Sequence, residues 1–431
     1  MKLRVFPSIL EGTVKAPSSK SYTHRAIVLS SLAEGESKVE CPLLAEDTWA
    51  TINACKELGA TVKKEETTLK ISGNENPMTP QNVIDVENSG TTLRLMTSVS
   101  SLIPNGYTIL SGDVSIRQRP MQPLLDAMHR LGVECWSTRL NGLPPIIVKG
   151  GGISGGEVEI DGKISSQFIS GILLASARAE NKVKIMIRGR QVSKPYIEMT
   201  IATMKHFGGD VKTYNDNIYM IQPKQHYQPR NFKVPGDFSS ASLMLAFGIL
   251  SGGKVTVENL ELNLPQGDQR IVELLRTLGV SVEVNWSGGF VSASGGIAFR
   301  GGTFDLSDTP DLLPVIAVLA LKAEGKVRIE GVEHTRFKES DRIAVISREL
   351  RRIGCEVDEF RTGLIVEARR ELKGGNLDAH GDHRLFMAFV AAAQSTGKEC
   401  VVDGLESVAV SYPSFLEDLR SIGCEFEVIE E

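Results

Sequence analysis

The 431-residue chain has no C-x-x-C pair, no long apolar run and no excess of basic charge. Its six cysteines (Cys41, Cys55, Cys135, Cys355, Cys400 and Cys424) are scattered. That spacing argues against a structural zinc module and suggests free thiols in a reducing cytosol. The longest apolar stretch, residues 312–321, is too short to span a bilayer. Met1-Lys2-Leu3-Arg4-Val5 lacks the apolar core of a signal peptide, so the expected location is the cytoplasm, with no membrane partner. Lys and Arg total 48 against 53 Asp and Glu, a net charge of −5. A nucleic-acid binder usually shows a basic excess, so none is expected as a partner, and any anionic ligand must be held by local clusters.

Further absences narrow the chemistry. Gly150-Gly151-Gly152 and Gly155-Gly156 do not make G-x-x-x-x-G-K-[ST], and no G-x-G-x-x-G follows a strand. ATP and NAD sites are therefore unsupported, and no cofactor is expected. His24, His334, His380 and His383 lack metal-ligand spacing, so no metal is assigned. A Ser or Cys nucleophile paired with His has no recognisable signature.

What the sequence does have is an internal repeat. The length suggests two or three domains, and 41% hydrophobic with 23% charged residues is ordinary for a folded protein. An amphipathic stretch ending in glycine recurs six times, closing at Gly59, Gly132, Gly208, Gly279, Gly354 and Gly423. Ile343, Ile346, Leu350 and Ile353 show the one-face helical spacing, and the glycine stands where a helix end needs positive φ. A short alternating strand follows each glycine. Interleaved with these are six nearly all-apolar helices opening on small polar residues. Marked at Ser19, Ser89, Ser165, Ser239, Pro310 and Asp382, they lie 70, 76, 74, 71 and 72 residues apart. We read six β-α-β-α-β-β units.

Five copies end in a second strand; the sixth runs out at Glu431, and residues 3–6 form a strand with no unit of its own. The economical reading is that the N-terminal strand completes the sixth unit. One domain then spans 14–229 and the other is discontinuous, 1–13 plus 230–431, with crossings near Lys15-Ala16-Pro17 and Tyr227-Gln228-Pro229.

The apolar helices should be buried, and their polar starts carry unpaired N–H groups that suit anions. Ser, Asp and Asn there are equally ordinary N-caps. Side chains beside the starts favour a ligand. Lys20 and Arg25, Arg94, Arg117 and Arg119, Lys338 and Arg342, and Arg384 gather there, although cations oppose the dipole of a helix start. Singly each reads as a surface charge; together they suggest two phosphate or carboxylate groups held by Arg and Lys. Asp311 before an apolar helix, and Glu339 between Lys338 and Asp341, suit acid/base work, with capping an equal alternative for Asp311.

On these residues the sequence resembles the enolpyruvyl transferases, and within them the 3-phosphoshikimate 1-carboxyvinyltransferase (EPSP synthase) family. The matching stretches are Pro17-Ser18-Ser19-Lys20-Ser21 with Arg25, Asn88-Ser89-Gly90-Thr91-Thr92-Leu93-Arg94, Gly112-Asp113 with Arg119-Pro120-Met121, Ser165-Ser166-Gln167-Phe168 and Ser193-Lys194-Pro195-Tyr196. Pro235-Gly236-Asp237-Phe238-Ser239-Ser240-Ala241, Lys338-Glu339-Ser340-Asp341-Arg342 and Asp382-His383-Arg384 complete the set, in the family's order. The resemblance implies an α/β, two-domain, inverse α/β barrel-like fold, each domain holding three βαβαββ units around buried helices, with the active site in the interdomain cleft. It also implies enolpyruvyl transfer from phosphoenolpyruvate to the 5-hydroxyl of 3-phosphoshikimate, two small-molecule substrates, and a monomer.

By motif match, Asp311, Glu339 and Lys20 would be catalytic. Lys20, Ser21, Arg25, Ser165, Ser166, Gln167, Ser193, Asp311 and Lys338 would bind 3-phosphoshikimate. Lys20, Gly90, Arg119, Gln167, Arg342 and Arg384 would surround phosphoenolpyruvate. His334 stands where the bacterial pattern has Asn, and Val410 where many relatives carry a phosphoenolpyruvate-side Lys. The rival is the UDP-N-acetylglucosamine enolpyruvyl transferase family. Its reactive Cys is missing from residues 115–121, and it has Lys-Asn in place of Lys20-Ser21.

Overall fold

The repeat is visible in the backbone of a computed structural model, which describes residues 1–163, 165–295, 299–369 and 371–430. Helices Glu46–Glu57, Gln122–Arg130, Lys194–His206, Ile271–Leu278, Arg342–Arg352 and Phe415–Ser421 run into the six repeat glycines. All six glycines have φ between +87° and +99°. A side chain there would cost about 1–2 kcal/mol, which is why the pattern keeps glycine.

The alternating helices are Lys20–Leu32, Gly90–Val99, Ser166–Ser176, Phe238–Ser251, Leu313–Leu319 and His383–Thr396. Their residues are mostly buried, as apolar-all-round helices must be. Five open on a side chain that accepts a backbone N–H: Ser19, Ser89, Ser165, Asp237 and Asp382. Ser239 is thus the second residue of its helix, two positions after the cap. Pro310 opens a 3-10 turn, Pro310–Leu312, ahead of Leu313–Leu319, where no side chain caps.

Among the described residues, six four-stranded sheets complete the units. In four of them, the first strand pairs parallel with the second, which requires a crossover, and the buried helix supplies it. The other two strands pair antiparallel. Two sheets take their first strand from a distant part of the chain. Asn231–Lys233 pairs with Gly35–Glu40, and Gly12–Lys15 with Lys254–Glu258. Lys2–Val5 lies between Cys400–Asp403 and Phe426–Ile429, filling the place that the second hairpin strand takes elsewhere.

Backbone proximity divides the chain into Met1–Pro17 with Gly236–Glu431, and Ser18–Pro235. The crossings therefore fall at Pro17/Ser18 and Pro235/Gly236, a few residues past 13/14 and 229/230. Each unit holds three sheets over three buried helices. In the discontinuous unit, His383–Thr396 packs on Phe238–Ser251 and Leu313–Leu319. Phe386, Met387 and Phe389 are sealed from solvent there. Truncating one such Phe to Ala costs about 3–5 kcal/mol, so this core fixes the polar helix starts that it carries.

Candidate functional site

Within the continuous unit, the starts of three buried helices bring several of the expected residues to Lys20, Gln167 and Arg119. Lys20, the first residue of its helix, donates from Nζ to Asp47 Oδ2 at 2.7 Å. His24 is buried with Nδ1 2.6 Å from Thr51 Oγ1, which lies 2.6 Å from Thr92 Oγ1. Thr92 in turn donates to Ser89 Oγ at 2.7 Å. Burial, reinforced by the charges of Lys20 and Arg25, keeps the His24 pKa well below its ordinary value, so this chain of hydroxyls ends on a neutral imidazole.

Gln167 links two helices. Its Oε1 accepts from Arg94 Nη1 at 2.5 Å, and its Nε2 donates to Thr91 Oγ1 at 2.9 Å. Arg119 donates from Nη2 to Asn88 Oδ1 at 3.1 Å and to Ser115 Oγ at 3.3 Å. Its guanidinium lies so close to Gly90 that a Cβ there would overlap Nη1. Ser165 caps its helix by accepting from the Gln167 amide, Ser166 is buried beside it, and Ser193 begins Lys194–His206 with φ +55°. A left-handed serine is uncommon and stores strain.

Arg25 is sealed inside. Its Nε donates to Thr200 Oγ1 at 2.7 Å, Nη1 to the Ser21 carbonyl at 2.8 Å, and Nη2 to the Tyr196 carbonyl at 2.9 Å. Burial lowers its pKa to about 10, still charged at neutral pH. As it stands, this arginine ties helix Lys20–Leu32 to Lys194–His206.

In the discontinuous unit the charges are packed more tightly. Asp311 does not cap; its Oδ1 accepts from Lys338 Nζ at 2.6 Å and Arg342 Nη1 at 2.8 Å, and Oδ2 faces Arg384 Nη2 at 3.3 Å. Burial alone would raise its pKa, but Arg384, Lys338 and Arg342 together hold the carboxyl well below the usual range. Arg342 also donates from Nε to Asp382 Oδ2 at 2.7 Å and from Nη2 to Glu339 Oε2 at 2.8 Å. Burial would lower the Arg342 pKa, yet Asp382, Glu339 and Asp311 raise it far above normal. Lys338 is lowered, first by burial and further by Arg342, against the pull of Asp311. Burial and then the Lys338 charge push His334 down to about 3, so it is a neutral neighbour of this group.

The arrangement holds an ionised carboxylate, Asp311, among three cations, with a second carboxylate, Glu339, one guanidinium away. Such a group can accept a proton from a bound hydroxyl and stabilise developing anionic charge with donors already in place.

Asp47, Asp268 and Asp382 were not among the expected site residues. Asp268 is buried, accepts a short hydrogen bond from Ser239, and is pushed up to about 7 by burial and then by the Asp311 charge. Asp47 is 27 positions from Lys20, and Asp382 is 40 from Arg342. Only folding pairs them, and the one local signal was their place at or near a helix start.

The family model described as EPSP synthase (3-phosphoshikimate 1-carboxyvinyltransferase) matches residues 6–419. A 3-phosphoshikimate 1-carboxyvinyltransferase of Korarchaeum cryptofilum is 44% identical over 424 residues, 98% of this chain and 99% of that protein. One from Methanothermobacter thermautotrophicus is 45% identical over 420 residues, 97% of each. Among solved structures, EPSP synthase from Acinetobacter baumannii superposes with a TM-score of 0.83 at 27% identity, covering 100% of both chains. The enolpyruvyl transferase NikO from Streptomyces tendae, at 17% identity and a TM-score of 0.79, shares the fold. With a whole-length family match and relatives this similar over almost every residue, the chain belongs to the EPSP synthase (3-phosphoshikimate 1-carboxyvinyltransferase) family.

Proposed function

We propose that this chain transfers the enolpyruvyl group of phosphoenolpyruvate to the 5-hydroxyl of 3-phosphoshikimate, giving 5-enolpyruvylshikimate 3-phosphate and inorganic phosphate, a step toward chorismate and the aromatic amino acids. The observation that carries the reading is Asp311, an ionised carboxylate held by Lys338, Arg342 and Arg384 in a chain of this family. Asp311 takes the 5-hydroxyl proton as the oxygen attacks C2 of phosphoenolpyruvate. Glu339 or Lys20 delivers a proton to the methylene carbon. The resulting tetrahedral adduct loses phosphate and a methyl proton to restore the double bond.

Binding roles follow the family motifs. Ser165, Ser166 and Ser193 take the shikimate phosphate, with Ser21, Arg25 and Lys338 on the rest of that substrate. Lys20, Gly90, Arg119, Arg342 and Arg384 receive phosphoenolpyruvate, and Gln167 serves both. Because each group draws residues from both units of the chain, the reaction calls for both units. The protein works in the cytoplasm on this reading. Support comes from cysteines that are all free and, for Cys55, Cys135, Cys355 and Cys424, pushed up by burial to about 12. Among the described residues no helix is long and apolar enough to cross a membrane.

Phosphate release with both substrates is the test. Turnover is expected with 3-phosphoshikimate. Turnover with UDP-N-acetylglucosamine in its place would overturn the proposal.

A further inference from the structure

Lys338 and Glu339 lie in the short stretch between turn Glu333–Phe337 and helix Arg342–Arg352. Their side chains bond to other charged groups of the same cluster, Lys338 to Asp311 and Glu339 to Arg342. On the reading above, those bonds must rearrange when substrate anions arrive and protons move. Something outside the reaction has to hold the backbone while they do.

Arg336 is built for that. Its Nη1 meets both oxygens of Asp341 at 3.0 and 2.8 Å, across the stretch that carries Lys338 and Glu339. Nη2 donates to Glu359 Oε1 and to the Phe360 carbonyl, each at 3.0 Å, and Nε to the Arg361 carbonyl at 3.1 Å. All three nitrogens are committed, two toward the hairpin formed by Glu356–Phe360 and Gly363–Glu367. Asp341 meanwhile caps the next helix, its Oδ1 accepting from the Ala344 amide at 3.1 Å. One guanidinium therefore fixes both ends of the loop and the start of the helix that carries Arg342. A lysine could match the charge but not the three directions of the fork.

We propose that Arg336 is a positioning residue for the transfer reaction, bracing residues 337–341 through Asp341 and the 356–367 hairpin so that Lys338 and Glu339 keep their place as their side-chain partners exchange. The proposal rests on the functional reading above. It is tested with Arg336→Lys, which keeps the charge and loses the fork, and Asp341→Ser, which keeps a capping residue and loses the bidentate acceptor.

Each variant should lower kcat by roughly tenfold or more, because misplacement of about 1 Å can cost up to about a hundredfold. The KM for either substrate should move far less. The double variant should be no worse than the poorer single one, since both remove the same interaction. Should Arg336→Lys fail to fold, Glu359→Gln, which removes one arm of the brace, is expected to lower kcat severalfold with an unchanged unfolding midpoint. Wild-type turnover with unaltered kcat in the variants, or effects that multiply in the double, overturns the brace alone. Absent wild-type turnover overturns the functional reading and the brace's role in it.

Discussion

Arg342 and Asp311, 31 positions apart, are joined at 2.8 Å through Nη1 and Oδ1, while the same guanidinium grips Asp382 at 2.7 Å through Nε. Burial would raise the Asp311 pKa, but Arg384 and Lys338, together with this Arg342 contact, hold it well below the usual range. Asp311→Asn keeps the volume and one acceptor but removes the proton acceptor. We expect it to bind 3-phosphoshikimate by calorimetry while kcat falls by about 10²–10⁴. Loss of folding with no separate loss of turnover would instead assign Asp311 a purely structural role.

Lys20 and Asp47 form a second pair at 2.7 Å, with little of either side chain exposed. Removing one partner of a buried pair costs about 3–5 kcal/mol, because the other charge is left uncompensated. Asp47→Ala should therefore lower the unfolding midpoint markedly. Lys20→Met, which removes the charge but keeps the stem, leaves the Asp47 carboxylate uncompensated in its turn, so it should lower the midpoint comparably and also lose nearly all phosphate release. An unchanged midpoint in either variant would contradict this.

Gly90 has no Cβ to interfere with Arg119, whose Nη1 a methyl would meet, and Arg94 Nη1 lies 3.5 Å from the same point. Gly90→Ala should leave the fold intact, since alanine is favoured in a helix by about 0.5–1 kcal/mol. It should raise the KM for phosphoenolpyruvate more than that for 3-phosphoshikimate. Steady-state kinetics with each substrate varied in turn measures the difference, and equal changes would count against Arg119 as a phosphoenolpyruvate ligand.

Asp268 supplies a pH test. In the folded chain its carboxyl keeps a proton up to about pH 7, whereas an unfolded Asp releases it near pH ~3.9. Its contribution to stability is complete below about pH 4 and drains away as pH rises toward 7. Asp268→Asn cannot ionise, so its stability advantage over the wild type should grow between pH 4 and 7 and then level off, on the order of a few kcal/mol. Paired denaturation curves across that range read it directly; a constant difference would refute it.

Much of the architecture is legible in the chain itself. The six glycines after six amphipathic stretches mark helix ends because only glycine takes the left-handed conformation cheaply, and all six adopt it. Period-2 alternation after each glycine marks the strands, with boundaries moved by a residue or two. Ser239 and Pro310 were less faithful markers. Where Asp237 offers a carboxylate two residues earlier, the helix takes the stronger acceptor and begins there.

The site divides differently. Its cations and its two principal acids could be named from local pattern and family resemblance, since those residues stand beside helix starts. What no local pattern encodes is which charge meets which. Ionisation of Asp311, the neutrality of His24 and His334, and the raised proton affinity of Asp268 all depend on groups brought together from distant positions and shielded from water. Arg336 shows the limit most plainly. In sequence it is one more charged residue in a charged run; in the fold it has carbonyl and carboxylate acceptors on three sides. Periodicity, glycine placement and turn chemistry are short-range and written along the chain. Electrostatics depends on distance and burial, and these exist only once the chain has closed on itself.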